Sequence, residues 1–242
     1  MADSEPQFDP ESESRFARPK AFRDILIVGC PIALLGVVGN LVGLSTLSGG
    51  AIINLGYVLM IILGGLILNC QRSSWREIGL SKPKSLRKTI LFGFAAFVAA
   101  LTVFIAAQVI AMSLLTVLGL VPTEIDQSRF NAVEGNLPFF ILMVILAWTT
   151  IAFGEEMFYR SFLITRMINS ASLKPRLAVL IAGGIFGVAH FAEGPMGILS
   201  NGAFGVLFGW IYLRSGLNLW ITIIGHGLIN TFRFILLYLG AV

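Results

Sequence analysis

Apolar runs of about 18 residues or more recur along the chain, separated by short polar intervals. Each is long enough to cross a hydrocarbon core of roughly 30 Å as a helix. This pattern predicts helices at about 25–47, 52–70, 88–118, 137–165, 176–191, 197–213 and 218–240. The third and fourth are long for a simple crossing, which calls for tilt or extension beyond the bilayer. The fifth and sixth are short and glycine-rich, and Gly194-Pro195 between them marks a turn rather than a break in one span. The expected fold is therefore all-α: a polytopic membrane bundle of about seven helices, six to eight allowing for the short ones.

Composition narrows the class further. The chain is 56% hydrophobic and only 12% charged, with a mean hydropathy of +0.86. A soluble domain carries about 25% charged residues, so a membrane bundle is the class that fits. Residues 1–24 are polar, with Asp3, Glu5, Asp9, Glu11 and Glu13 ahead of Arg15, Arg18, Lys20 and Arg23. They read as a disordered tail leading into a basic membrane flank, and residues 25–242 as a single transmembrane domain whose intramembrane ionisable residues all lie within 137–240. The first apolar run is too long for the core of a cleaved signal peptide and has no small-residue cleavage site. Cys30 and Cys70 lack disulfide or metal-ligand spacing and read as packing residues.

Charge placement orients the bundle. With seven spans, 14 of the 17 Lys and Arg residues fall on one side, six of them between the second and third helices. The opposite loops hold Arg129 alone, beside Glu124, Asp126 and Glu134. The positive-inside rule puts the N-terminus in the cytoplasm and the C-terminus outside. Topology thus accounts for the net charge of +4, and no nucleic-acid partner is implied. Trp75, Ile78, Leu80 and Leu86 alternate with the basic residues up to Lys88, a pattern for a segment along the cytoplasmic interface. A solvated loop with a Trp anchor fits the same residues. Pairs of glycines four apart (Gly39 and Gly43, Gly183 and Gly187, Gly205 and Gly209) predict close helix packing. No repeat symmetry of the transporter kind is visible.

Six ionisable groups remain inside the spans: Glu155, Glu156 and Arg160 in the fourth helix, His190 in the fifth, His226 and Arg233 in the seventh. At the bilayer centre such a group costs at least ~2.5 kcal/mol on insertion scales, so each needs a partner or a purpose. In a regular α-helix Glu155 and Glu156 stand about 100° apart and do not face the same cavity. Glu156 shares a face with Arg160 and can pair with it. That leaves Glu155, beside Tyr159, as the unpaired acid suited to proton transfer. His226 and Asn230 share a face and can both donate hydrogen bonds to a developing negative charge. Helical rise places Glu155, His190, His226 and Asn230 at a similar depth, roughly 12–21 Å into the membrane. The bland reading gives each histidine a packing or helix-linking role, but both histidines of the chain lie at the depth of a lone carboxylate. Arg233 is nearer the outer face, where it can snorkel or pair with Glu193.

Residues 155–160, Glu-Glu-Met-Phe-Tyr-Arg, match the pattern EExxxR. Phe186 to His190 match FxxxH, and His226 to Asn230 match HxxxN. In this order on successive membrane helices the motifs resemble the CPBP family, which groups CAAX proteases and bacteriocin-processing (Abi-type) enzymes. The stretch from Trp75 to Leu80 is similar to the family's interfacial segment. The resemblance implies an intramembrane glutamic endopeptidase without metal or other cofactor. Glu155, helped by His190, activates water; His226 and Asn230 form the oxyanion hole; Glu156 and Arg160 hold the site in shape.

Two other classes use the same parts. Glu155, His190 and His226 are the components of a two-His, one-carboxylate zinc site of a metalloprotease, although no HExxH is present. Intramembrane Glu and His also serve proton relays, as in a proton-coupled transporter, and a binding or immunity protein is a third alternative. The partners implied are the lipid bilayer and a membrane-associated peptide or protein. The compact chain points to a bacterial cell membrane, and no pattern encodes an oligomeric state.

Overall fold

A computed structural model describes residues 18–42, 47–120 and 128–241. Seven helices of the described residues carry the architecture: α1 (Arg18–Val42), α2 (Leu47–Cys70), α3 (Leu86–Val117), α4 (Leu137–Asn169), α5 (Pro175–Ala189), α6 (Gly194–Arg214) and α7 (Leu219–Tyr238). No strand occurs among the described residues. All but α5 are long and apolar enough to cross a membrane, and the chain is a polytopic helical bundle. Large side chains such as Leu41, Val109 and Val117 stand exposed on its flanks, as a lipid-facing surface requires.

Helix ends follow local chemistry. Asn136 caps α4 by accepting from the Phe139 N–H at 3.2 Å, ahead of Pro138 in the first turn. Prolines open α5 and α6 in the same way. The 15-residue α5 rises only about 22 Å. It stops at His190, and a short 3-10 turn (Phe191–Glu193) and Gly194 at φ +74° turn the chain into α6. The turn at Gly194-Pro195 is thus present, and α5 is the span that falls short.

The first boundary needs correcting. The helix begins at Arg18 rather than near 25, so residues 18–24 of the supposed tail are helical and Asp24 is buried. Gln71 donates to Asp24 at 2.7 Å and the Arg166 guanidinium lies 4.0 Å from it, tying α1, α2 and α4 together at one end of the bundle. A charged flank that finds partners inside the bundle continues the helix. Residues 1–17 of the tail, together with Gly43, Glu124 and Asp126, lie outside the described residues. Cys30 and Cys70 are exposed on the outer surface and do not pack inside.

Small residues set the closest approaches. A Cβ on Gly205 would sit 2.8 Å from the Gly183 Cα, so α5 and α6 touch backbone to backbone. The interfacial stretch is docked and not a solvated loop. Trp75 packs over Gly64 and Gly65 of α2 and 6.0 Å from the Phe162 ring of α4. The Ile78 carbonyl accepts from the Ser161 and Tyr212 hydroxyls of α4 and α6. Buried Gly79, at φ +111°, lies where a Cβ would meet the Leu217 carbonyl at 2.6 Å.

The centre of the bundle is α4. Its first turns face lipid, but residues 154–168 are buried without exception. Two stretches, Ala147–Ala152 and Glu156–Ile164, are π-helical. Hydroxyl back-bonds from Thr149 and Thr150 to carbonyls four residues earlier accompany the first. Such widened turns recur at functional sites. Here the second begins at Glu156.

Candidate active site

Three helices converge on two adjacent carboxylates. Glu155 and Glu156 stand on α4 at the start of its longer π-helical stretch, and both are buried. Glu156 faces α7, where the His226 Nδ1–H donates to its Oε1 at 2.8 Å. Its Oε2 lies 3.2 Å from the Arg160 Nε, one turn along the same helix, at ion-pair distance though off the hydrogen-bond axis. Both partners of that pair are fully buried.

Burial of a guanidinium needs compensation beyond one carboxylate. Aromatic faces supply it. The Arg160 Cζ lies 4.6 Å from the centre of the Phe186 ring and 5.6 Å from those of Phe204 and Phe208. Phe204 and Phe208 are four apart on α6 and stack at 4.2 Å, and Phe204 presents its ring to His226 at 4.9 Å. The cage thus fixes the cation and the imidazole together.

Glu155 is held from another side. Tyr57 of α2 donates its hydroxyl to Glu155 Oε1 at 2.5 Å. The other oxygen, Oε2, makes no hydrogen bond and lies 3.6 Å from His226 Nε2. One imidazole therefore bridges the two glutamates, Nδ1 on Glu156 and Nε2 toward Glu155. The expectation that the two acids face apart does not hold. The 100° step assumes a regular α-helix, whereas Glu156 opens a wider turn, and the two nitrogens of one ring reach both carboxylates.

The remaining residues stand at the edge of this network. His190, the first residue after α5, donates from Nδ1 to the Phe186 carbonyl at 2.8 Å, which leaves Nε2 as the acceptor nitrogen. Its ring packs 4.6 Å from Phe186, which meets Tyr159 edge-on at 4.9 Å. No direct contact joins His190 to Glu155 among the described residues; the Phe186 ring connects His190 to the cluster. Asn230 is half-buried one turn beyond His226 and makes no hydrogen bond among the described residues. Arg233 lies 3.9 Å from Glu193, one of the two roles expected of it. No group of three or more His, Cys, Asp or Glu among the described residues is arranged to hold a metal ion.

Residues 137–232 match the family model described as Rce1-like, type II CAAX prenyl endopeptidase Rce1-like. Over this segment the chain is similar to that family of CAAX endopeptidases. The matched segment contains all six candidate residues and ends within α7. The family matched is one of endopeptidases, and the segment lies within the multi-pass bundle. No curated protein and no solved structure matches the chain.

Tyr57, Phe204 and Phe208 are the participants that sequence reasoning missed. A tyrosine in the middle of an apolar span carries a hydroxyl that needs a partner, and that was the available signal for Tyr57. Replacing Tyr57 by Phe removes one hydrogen bond to a charged group. The expected result is a loss of roughly 10–100-fold in kcat at unchanged fold, read from initial cleavage rates. Unchanged kcat would leave Tyr57 with a packing role only.

Proposed function

We propose that the chain is an intramembrane glutamic endopeptidase that cleaves a membrane-associated peptide or protein without a metal ion. The observation that carries this reading is Glu155: a buried carboxylate oriented by Tyr57 through one oxygen, with the other uncommitted and facing an imidazole. In the proposed reaction that oxygen takes a proton from water. The hydroxide adds to the scissile carbonyl, and collapse of the tetrahedral species breaks the C–N bond. The proton passes to the leaving amine, and a new carboxyl remains on the other fragment. His190 Nε2 is a second acceptor at the rim for the water's proton or its relay.

Two donors serve the oxyanion. Asn230 has an amide N–H2 committed to no other described group. His226 is held at Nδ1 by the Glu156 carboxylate, and as an imidazolium it donates from Nε2. Glu156 and Arg160 position that imidazole. Asn230→Ala is expected to lower kcat by about 100-fold or more with KM little changed, as removal of one oxyanion donor does elsewhere. A selective rise in KM would make Asn230 a substrate-binding residue.

The function is tested with the full chain in proteoliposomes and a membrane-peptide fraction as substrate. New peptide termini are expected by mass spectrometry, at a rate unaffected by EDTA or 1,10-phenanthroline. Loss under chelation with recovery on zinc would replace this mechanism with a metalloprotease. Proton flux without any cleavage would make the chain a transporter.

A further inference from the structure

A second feature lies away from the glutamates, at the cytoplasmic end of the bundle. The stretch Arg76–Leu80 and the loop that follows it run between the start of α3 and the start of α7. They enclose a half-open groove of about 620 Å3. Its walls are the side chains of Leu80, Leu86, Ile224 and Trp220, and its rim carries Arg76 and Lys82. The volume is that of a small-molecule site.

The groove is built rather than incidental. The Trp220 Nε1–H donates to the Ser81 carbonyl at 3.1 Å, pinning the loop to α7. Beneath it the Asn218 side chain donates to the Thr89 hydroxyl at 3.0 Å, joining the first turns of α7 and α3. Leu86, by contrast, is 65% exposed. An apolar wall left open at the level where a Trp marks the membrane interface faces lipid.

The rim charge is unbalanced. Neither Arg76 nor Lys82 meets a carboxylate among the described residues. The nearby acid, Glu77, already accepts from the Ser73 hydroxyl at 2.7 Å. Lys84, Arg87 and Lys88 add to the same field. A molecule that suits this site carries a negative headgroup at the interface and a hydrocarbon tail below it.

We propose that this groove binds an anionic phospholipid of the cytoplasmic leaflet, its phosphate between Arg76 and Lys82 and an acyl chain along Leu80, Leu86 and Ile224. Each basic contact to an anionic headgroup is worth about fivefold in affinity, so the pair sets a preference of roughly 30-fold over a zwitterionic lipid.

The test uses the full chain in phosphatidylcholine nanodiscs doped with phosphatidylglycerol, released into detergent and read by native mass spectrometry. Wild type is expected to retain one phosphatidylglycerol in preference to phosphatidylcholine. Arg76→Gln with Lys82→Gln is expected to reduce that retention at least tenfold. Lys84→Gln with Arg87→Gln, which removes the same charge away from the groove, is expected to keep it. Leu86→Trp, which fills the groove without altering charge, should also displace the lipid, and thermal unfolding confirms that each variant is folded. Equal loss in both charge pairs would reduce the effect to a diffuse basic field. Equal retention of phosphatidylcholine, or no retained lipid, would overturn the proposal.

Discussion

Substituting Gln for Glu155 is expected to lower peptide cleavage by a factor of about 10²–10⁴ while leaving the bundle folded. The two side chains have the same shape, and the amide oxygen of Gln can still accept the Tyr57 hydroxyl that Glu155 Oε1 accepts at 2.5 Å. What Gln lacks is the ability to take a proton at the second oxygen, the one that faces His226 Nε2. Stability should hold or rise slightly, because a neutral amide replaces a buried carboxylate whose Oε2 has no hydrogen bond. Single-turnover cleavage and thermal unfolding in detergent, measured side by side, separate the two effects. Full activity in Glu155→Gln would remove Glu155 from the chemistry. A collapse of the unfolding temperature would make its role structural instead.

Helix number and order were legible because a bilayer leaves the chain little choice. A crossing needs about 20 apolar residues with every backbone group bonded internally, and such runs stand out. Boundaries were less legible where a charged flank found buried partners. Arg18 to Arg23 continue α1 because Asp24 meets Gln71 and Arg166, an arrangement that depends on residues 47 and 142 positions away in the chain. Cys30 and Cys70 show the converse: an apolar segment does not reveal which of its faces meets lipid.

In the site, spacing recovered what lies within one helix. Glu156 and Arg160 are four apart, and they pair. Spacing did not recover what crosses between helices. Tyr57 reaches Glu155 over 98 residues, and the cage around Arg160 comes from α5 and α6. Regular helical spacing also hides the meeting of both glutamates at His226, because α4 widens there. Regular spacing likewise puts His190 inside a helix, whereas it is the residue at which α5 ends. That position frees its ring to bond the Phe186 carbonyl and keeps Nε2 available.

Arg160→Met is expected to cause the largest loss of stability, about 3–5 kcal/mol, because it leaves a fully buried Glu156 without its cation. Thermal unfolding of the full chain in detergent reads this directly. The reason is the unpaired charge and not the lost packing, since Met fills much of the same space among Phe186, Phe204 and Phe208. Adding Glu156→Gln should therefore restore most of the stability by removing the charge. Activity should not return with it. Gln can accept the His226 Nδ1–H as Glu156 Oε1 does, but it places no negative charge opposite an imidazolium that donates from Nε2 to the oxyanion. The double variant is expected to fold like wild type and cleave at least tenfold more slowly. Failure to regain stability would shift the weight to the guanidinium in its aromatic cage. Recovery of both properties would show that the ion pair balances its own burial and does nothing for the imidazole.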